Sequence, residues 1–138
     1  MKPNKVSFSD FSHTLPISVS WGDMDSLGHV NNTVFFRYFE DVRVSLFLKN
    51  DIFLNKETGI GVVLADISCK FIRPIYYPSH LIAACAVHSI EKDRFSIKYG
   101  LFNETDKSCL AIGDSVVKAF DFKNHIKVDL PEKWKITT

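Results

Sequence analysis

A single helical pattern, between residues 31 and 49, constrains the fold of this chain more than any other feature. Apolar side chains recur in it at the three- and four-residue spacing of an α-helix, at Val34, Phe35, Tyr38, Phe39, Val42, Leu46 and Phe47. Asn31 or Asn32 can cap its first turn. Because both faces of this helix are rich in Phe, Val and Leu, we expect a sheet to wrap around it.

The remainder of the chain has the residue preferences of β-strands. Residues 13–21 predict a first strand, since apolar and polar side chains alternate between Leu15 and Trp21. β-Branched and apolar runs predict four further strands, at residues 61–71, 80–90, 95–102 and 109–122. The short turn-like segments between these runs favour antiparallel hairpins. One strand, one long helix and four strands predict an α+β fold in which a curled antiparallel sheet surrounds the helix.

Length and composition narrow the class of protein. The 138 residues fit one domain, 1–138, with a weakly ordered lead-in at residues 1–11. The formal net charge is only +1, which gives no electrostatic footprint for nucleic acid or for an anionic membrane. Three cysteines without C-x-x-C spacing indicate buried, unpaired thiols in a reducing compartment. Since no run approaches the roughly 18–20 apolar residues of a membrane span, we expect a cytoplasmic protein.

An acidic turn lies directly before the helix, in the segment Trp21–Asn32. It contains two carboxylates, Asp23 and Asp25, which share a face if a strand continues through them. A helix N-terminus carries unpaired N–H groups and about half a positive charge, so it can hold a carbonyl oxygen that becomes an oxyanion. A carboxylate beside it can attack a carbonyl carbon or deprotonate a water molecule. From the residues alone, Asp25 fits equally well as a turn residue that bonds local N–H groups.

The turn and the helix resemble one branch of a known family. The segment Asp23–Asn32 matches the D-x-D-x-x-G-H-V-N-N start of the 4-hydroxybenzoyl-CoA thioesterase-like branch of the hotdog-fold family, and the similarity continues through Phe35–Arg43. Lys70–Pro78 is similar to the family's strand that ends in a proline-containing turn, and the whole resemblance covers about residues 12–123. It implies a hotdog fold, an antiparallel sheet curled around one long central helix. Sheet edges of two hotdog chains join and the sites lie at their interface, so the resemblance also implies a homodimer or homotetramer.

The resemblance assigns roles within the motif. It implies that Asp25 is the catalytic carboxylate, acting as nucleophile or as base for water attack on a thioester. It also implies that the backbone N–H of Asn32 points at the thioester carbonyl and that Asp23 is structural. Three further residues of the motif are candidates for substrate contacts, namely Gly28, His29 and Asn31. A lone histidine is more often structural, and the other histidines show no ligand spacing, so no metal is predicted.

Two other charged segments bear on the site. Glu40 and Asp41 lie on the helix, where other branches of the family place their catalytic acid, although ion pairs at helical spacing account for them as well. A coenzyme A substrate needs cations for its phosphates. The turn Glu91–Arg94 lies where the family carries a basic cluster, which makes Lys92 and Arg94 the candidates. Because the turn also contains two acidic residues, an acyl group bound to a carrier protein stays open.

These features together predict an acyl-CoA thioesterase that hydrolyses a thioester to a carboxylic acid and free CoA. It should need no metal and no cofactor, because coenzyme A is part of the substrate. An acyl-carrier-protein thioesterase and a non-catalytic acyl-thioester binding or sensing protein are the alternatives. A hotdog hydratase acting on enoyl-CoA is a further one, but its Asp/His pair has a spacing that Asp25 and His29 do not reproduce. Aliphatic and aromatic acyl groups fit the sequence equally well.

Overall fold

One antiparallel sheet packs around a single long helix in the computed structural model of the protein, which describes residues 6–136. The elements in chain order are β1 (His13–Ser18), α1 (Asn32–Lys49), β2 (Ile60–Phe71), β3 (His80–Ile90), β4 (Arg94–Asn103), β5 (Cys109–Asp121) and β6 (Ile126–Lys127). The strand order is β1-β3-β4-β5-β2, all neighbours are antiparallel, and β6 pairs with the end of β5. This arrangement confirms the predicted α+β hotdog architecture.

The helix follows its sequence signals closely. Asn31 caps the first turn, because its side-chain oxygen accepts the Thr33 N–H at 2.8 Å. The apolar residues of the predicted stripe are buried against the sheet, and the Phe39 ring stacks on Tyr99 of β4 with 4.8 Å between centroids. Burial of each large apolar side chain contributes roughly 1.5–3 kcal/mol, so this face fixes the helix on the sheet. Among residues 6–136 no helix is long and apolar enough to cross a membrane.

Strand boundaries agree with the sequence patterns, with two exceptions. The four strands after the helix match the predicted ranges to within one residue at each end. β1, however, ends at Ser18 rather than at residue 21, because Trp21–Asp23 forms a 3₁₀ helix whose capping box is completed by the Asp23 side chain. The two-residue β6 is too short to produce a periodic pattern, and the sequence did not predict it.

The described part of the lead-in at residues 1–11, which the sequence predicts to be weakly ordered, packs against the sheet. Residues 1–5 lie outside the described residues, but from Phe8 onward the chain is packed. The rings of Phe8 and Phe11 lie edge-on to Phe102, with 5.3 and 5.6 Å between centroids, on the face of the sheet away from α1. Aromatic rings that pack against the sheet offset the entropy lost when these few residues are ordered.

The two edges of the sheet are unequal. β1 is six residues long and contains Pro16, which has no N–H to donate. β2 is 12 residues long, and among the described residues no strand pairs with its outer edge. Its end at Phe71 lies against the first turn of α1, where the Phe71 and Phe35 rings are 4.9 Å apart. Its start at Ile60 lies near the last turn of the helix, so β2 carries unpaired backbone groups along the full length of α1.

The three cysteines are unpaired thiols on three different strands, at Cys69, Cys85 and Cys109. Only Cys85 is fully buried, and burial raises the pKa of its thiol to about 12. Cys69 is half-buried, and burial raises its pKa to about 11. Both thiols are therefore protonated at neutral pH and are poor nucleophiles. The prediction of unpaired thiols holds, whereas complete burial holds for Cys85 alone.

Candidate active site

The acidic turn is a small hairpin closed by backbone hydrogen bonds. Met24 and Val30 form an isolated antiparallel bridge. The Asp25 N–H donates to the His29 carbonyl at 3.0 Å, and the Gly28 N–H donates to the Asp25 carbonyl at 3.1 Å. Gly28 has a φ of +85°, and a Cβ there would meet no atom within 4 Å, so the glycine serves the backbone conformation rather than making space. The turn thereby fixes Asp25 just before the helix.

The carboxylate of Asp25 is held at one oxygen and free at the other. Oδ1 accepts the Leu27 N–H at 2.9 Å. Within residues 6–136 no hydrogen bond reaches Oδ2. The half-buried side chain lines a cavity of about 330 Å³ at the start of α1, together with Asn32 and Phe71. One oxygen of Asp25 thus bonds to the local turn, whereas within residues 6–136 the second has no hydrogen-bond partner and is available to a ligand. The catalytic role of Asp25 stays a prediction.

The first N–H group of α1 is unpaired at the same cavity. The Asn31 side-chain oxygen accepts both the N–H and the hydroxyl of Thr33, at 2.8 and 2.7 Å. The described part of the chain offers no acceptor to the Asn32 N–H, which lies at the positive end of the helix dipole. This group can therefore donate to a carbonyl oxygen bound in the cavity. The Asn31 side chain, in contrast, is committed to the cap, and the structure adds no support for its predicted substrate contact.

Asp23 is buried behind the turn, and both of its carboxylate oxygens accept hydrogen bonds. Its carboxylate accepts the Ser20 N–H at 3.0 Å, the Tyr38 hydroxyl at 2.9 Å and the Arg37 guanidinium at 3.3 Å. Burial, followed by the hydrogen bond to Asp23, raises the pKa of Tyr38 well above its usual range. Asp23 thus ties the 3₁₀ turn to the second turn of α1 and is not among the residues that line the cavity with Asp25. These contacts fit the structural role that the resemblance implies.

His29 lines the cavity together with Asp25 and Asn32, whereas Gly28 belongs to the same turn but is not among the lining residues. The His29 Nδ1 is 3.5 Å from the carbonyl oxygen of Val30, at the limit of a hydrogen bond. Its ring meets Tyr76 edge-on at 6.4 Å. No carboxylate in residues 6–136 is hydrogen-bonded to His29, so the imidazole is not oriented as the base of a catalytic triad.

The rival carboxylates on the helix lie away from this cavity. Glu40 and Asp41 are exposed, and Glu40 is eight residues after Asn32, about 12 Å along the helix axis. Glu40 instead lies 3.9 Å from the Arg43 guanidinium, as an i,i+3 ion pair. Asp25 is therefore the carboxylate that shares a cavity with an unpaired helix N–H.

The predicted phosphate contacts are distant from Asp25 within one protomer. Phe71 lines the cavity and pairs with Ala111 of β5, which in turn pairs with Leu101 of β4. Phe71 and Leu101 therefore lie at the same height in the sheet. Arg94 lies seven residues along β4 from Leu101, about 23 Å away at the other end of the sheet. Lys92 lies still farther, within the β3–β4 turn. Within one protomer this turn therefore lies at the opposite end of the sheet from Asp25.

Both cations of the β3–β4 turn also have carboxylate partners in the same chain. Arg94 donates to Asp93 through Nε at 2.9 Å, and this hydrogen bond lowers the pKa of the Asp93 carboxyl. Lys92 lies 3.8 Å from Asp129. Both ion pairs are exposed and weak. Their carboxylates nevertheless offset part of the positive charge with which the turn could bind a phosphate.

One cation at the cavity was missed by the sequence analysis. Arg73 follows β2 and lines the cavity with Asp25. Its backbone N–H donates to the Leu110 carbonyl at 3.0 Å, whereas its side chain makes no hydrogen bond or ion pair within the described ranges. Arg73 stands in Lys70–Pro78, the segment that carries part of the resemblance, but nothing in that segment shows that it folds back to the start of α1. A guanidinium is well suited to binding phosphate or carboxylate oxygens.

Sequence comparison relates the chain to one family. The sequence model of the thioesterase-like superfamily matches residues 19–135, which include the acidic turn, α1 and strands β2 to β6. YsmA, an uncharacterized protein of Bacillus subtilis, is 40% identical over 72 residues. That match covers 51% of this chain and 46% of YsmA, so it spans about half the length of the relative.

Solved structures share the fold over nearly the whole chain. PA2801, a putative thioesterase from Pseudomonas aeruginosa, is 26% identical and has a TM-score of 0.80, with 87% of this chain and 92% of that chain covered. Slr0204, a 1,4-dihydroxy-2-naphthoyl-CoA thioesterase from Synechocystis, is 18% identical and has a TM-score of 0.81, with 89% and 92% covered. At that lower identity the second likeness shows the fold alone.

Proposed function

We propose that the chain, which belongs to the thioesterase-like superfamily, cleaves acyl-CoA thioesters at Asp25 and the first turn of α1. One observation carries this proposal: Asp25 and Asn32 line the same cavity, and within residues 6–136 one carboxylate oxygen of Asp25 and the N–H of Asn32 have no hydrogen-bond partner. A carboxylate supplies the nucleophile or base, and a helix N–H stabilises the oxyanion.

The proposed reaction follows from these two groups. The thioester carbonyl oxygen accepts the Asn32 N–H, so the negative charge that develops on it is stabilised by this donor and by the helix dipole. Asp25 either attacks the carbonyl carbon, which gives a mixed anhydride that water hydrolyses, or takes a proton from a water molecule that attacks. In both routes the C–S bond breaks, the CoA sulfur takes up a proton and the carboxylic acid is released.

We also propose that the protein works as a homodimer joined through β2, with a homotetramer as a further stage of assembly. Among residues 6–136 no strand pairs with the outer edge of the 12-residue β2, so its unpaired N–H and C=O groups can pair with a strand of another copy. A second copy of β2 has the matching length, and a twofold axis lets each strand satisfy the other. The cytoplasmic location stays a prediction from the sequence.

Two alternative functions would use the same cavity. An acyl-carrier-protein thioesterase would use Asp25 in the same way but would contact a protein surface instead of a nucleotide. A sensing protein would bind the thioester without cleaving it. The free Oδ2 of the half-buried Asp25 favours an enzyme, because a site built only for binding a neutral thioester gains nothing from an unpaired carboxylate.

We expect the purified protein to release free thiol from acyl-CoA. The substrates to compare are acyl-CoA chains from acetyl to palmitoyl, aromatic acyl-CoA and acyl groups on a carrier protein, with the thiol followed by a chromogenic reagent. Hydration of enoyl-CoA, followed by loss of absorbance of the conjugated thioester, tests the hydratase. Tight binding without thiol release from any of them would replace the enzyme by a sensing protein.

Arg73 is our first candidate for the anionic part of CoA, because it is a cation of the cavity whose side chain has no ion pair within the described ranges. We expect Arg73→Ala to raise KM for acyl-CoA about tenfold or more, since a hydrogen bond to a charged group is worth roughly 1.5–3 kcal/mol. The kcat should change little, because such a contact binds ground and transition states alike. Initial-rate kinetics at two salt concentrations measure the effect, which should shrink as salt rises.

Two further measurements separate the candidates for this contact. Acyl-pantetheine lacks the nucleotide, so its KM should not respond to Arg73→Ala. Arg73→Lys keeps the charge but loses the planar fork, and should give an intermediate KM. If the double variant Lys92→Ala/Arg94→Ala raises KM and Arg73→Ala does not, the phosphates lie at the β3–β4 turn of the partner protomer instead. If none of these variants changes KM, a carrier-protein substrate becomes favoured.

A further inference from the structure

A polar cavity of about 620 Å³ lies beyond the C-terminal end of α1, between the loop that follows the helix and the C-terminal segment of the chain. Its charged and polar lining includes Asn50, Asp51, Asn55 and Lys133. The 18-residue helix is about 27 Å long. This cavity and the cavity at Asp25 therefore lie at opposite ends of α1, and they have no lining residue in common. The volume of the polar cavity is typical of small-molecule sites.

One part of the polar cavity favours a cation. The Asp51 carboxylate is exposed and makes no hydrogen bond or ion pair within residues 6–136. The side-chain Nδ2 of the neighbouring Asn50 donates to the Leu46 carbonyl at 2.9 Å, so its side-chain oxygen is left for a ligand. Both residues lie at the C-terminus of α1, where the helix dipole carries about half a negative charge. An ammonium group would supply three donors to these acceptors.

Another part of the polar cavity carries donors. Lys133 is exposed and has no hydrogen-bond or ion-pair partner in the described part of the chain. Asn55 accepts the N–H groups of Glu57 and Thr58 with its side-chain oxygen, at 2.9 and 3.1 Å, so its Nδ2 donors are left for a ligand. Trp134 lines the cavity as well, and its buried indole N–H has no acceptor between residues 6 and 136. Because buried donors without a partner are rare and costly, this part favours a ligand with oxygen acceptors.

The two charges line one cavity without neutralising each other, since no ion pair joins Asp51 to Lys133 among the described residues. The apolar part of the lining consists of Phe53, Ile60 and Pro131. Phe53 is 50% exposed, so an apolar group that packs on its ring removes further area from water. The cavity thus offers a negative group, a positive group and an apolar surface to one ligand.

This combination selects one chemical class. A simple anion would approach the Asp51 carboxylate, and a nucleotide would bring several negative charges to a cavity that has one cation. A simple amine would leave Lys133 unpaired. A small zwitterion, in contrast, has an opposite charge for each of the two side chains, and charge-assisted hydrogen bonds are the strong ones.

We propose that the polar cavity binds a free α-amino acid with an apolar side chain. The ammonium group of the ligand pairs with Asp51 and Asn50, and its carboxylate pairs with Lys133 and Asn55. The side chain of the ligand packs on the apolar lining at Phe53. Because the ligand then joins the loop after α1 to the C-terminal segment, it stabilises the folded chain. The inference goes beyond the proposed thioester hydrolysis and does not depend on it.

The fluorescence of Trp134 measures this binding directly. The chain has two tryptophans, so Trp21→Phe leaves Trp134 as the single emitter. Trp21 is 76% exposed, and its replacement should leave the core intact. We expect leucine, isoleucine and methionine to change the emission with saturation and to raise Tm. No saturable change and no rise in Tm with any of them up to about 10 mM, well above a millimolar Kd, would overturn the proposal.

Two analogues of leucine test which charges of the ligand matter. Leucinamide keeps the ammonium group and loses the carboxylate, whereas N-acetyl-leucine keeps the carboxylate and loses the ammonium group. Each should bind at least about tenfold more weakly than leucine, because hydrogen bonds to charged groups are the stronger ones. Equal binding of leucine and leucinamide would mean that the cavity takes amines. Equal binding of leucine and N-acetyl-leucine would mean that it takes carboxylates, and either result would overturn the amino-acid assignment.

Substitutions at the two charges locate the ligand. Asp51→Asn keeps the size of the side chain at a position with a φ of +55°, which Asn tolerates. Lys133→Gln removes the opposite charge from an exposed position. In the Trp21→Phe background each should weaken leucine binding at least about tenfold. Asp66→Asn and Lys127→Gln are the matched controls, since both residues are exposed and are not among those that line the cavity. Unchanged affinity in either cavity variant would overturn the proposed site.

Discussion

Replacing Asp25 by Asn is expected to lower kcat at least about a hundredfold while leaving the fold intact. Asn keeps the size of the side chain and an oxygen that can accept the Leu27 N–H, the 2.9 Å bond that orients the turn. It removes the negative charge, so the side chain can neither attack the thioester nor take a proton from water. Thiol-release kinetics and a thermal unfolding curve on the same preparation measure both outcomes.

Ser26→Ala is the matched control for this substitution. Ser26 lies in the same turn, is exposed, and its hydroxyl makes no hydrogen bond within residues 6–136. Its variant should therefore turn over at the wild-type rate. Near-wild-type kcat in Asp25→Asn would refute the assignment, and Glu40→Gln would be the next variant to measure.

Asp23→Ala should lower the free energy of unfolding by roughly 3 kcal/mol or more, because hydrogen bonds to a charged group and buried groups left unpaired are both costly. The substitution removes the acceptor for the Ser20 N–H and leaves the Tyr38 hydroxyl unpaired in the core. The Arg37 pair adds little, since that side chain is 62% exposed and screened by solvent. Urea denaturation followed by circular dichroism gives the value.

Asp23→Ala should also disturb the geometry of the candidate active site. The backbone carbonyl of Asp23 accepts the Asn31 N–H at 3.0 Å, one residue before the proposed oxyanion donor, so a loosened turn misplaces both groups of the cavity. Tyr38→Phe removes only one of the hydrogen bonds to the Asp23 carboxylate and should cost roughly 1.5–3 kcal/mol with little loss of kcat. An Asp23→Ala protein as stable as the wild type would show that this carboxylate does not hold the turn on the helix.

Local patterns were sufficient to predict most of the fold. The stripe that begins at Val34 and the cap at Asn31 set the helix, because both signals lie within a few residues of the structure that they specify. Long runs of β-branched residues located four strands for the same reason. The packing of Phe8 on Phe102 was not predictable in this way, since the two residues are more than 90 positions apart and neither carries a sign of the other.

The same distinction between local and distant contacts applies to the residues of the candidate site. Asp25 and Asn32 are seven residues apart in one turn, and the motif that suggested them also determines their geometry. Arg73 reaches the cavity only because the segment after β2 folds back to the helix, which depends on pairing between distant strands. The resemblance identified Lys92 and Arg94 as candidates for the phosphate contact. A position in a sequence motif does not show that these residues lie at the opposite end of the sheet from Asp25 of the same chain.

The unequal edges of the sheet determine whether association stops or continues. A protein with two equally accessible edges can add copies at both, which leads to filaments and aggregates. Here the edge opposite β2 is the six-residue β1, and Pro16 withholds one of its few backbone donors. Pairing through β2 uses that edge on both copies at once, and the edges that remain are poor templates. If two copies pair through β2 as we propose, growth of the sheet ends at two chains.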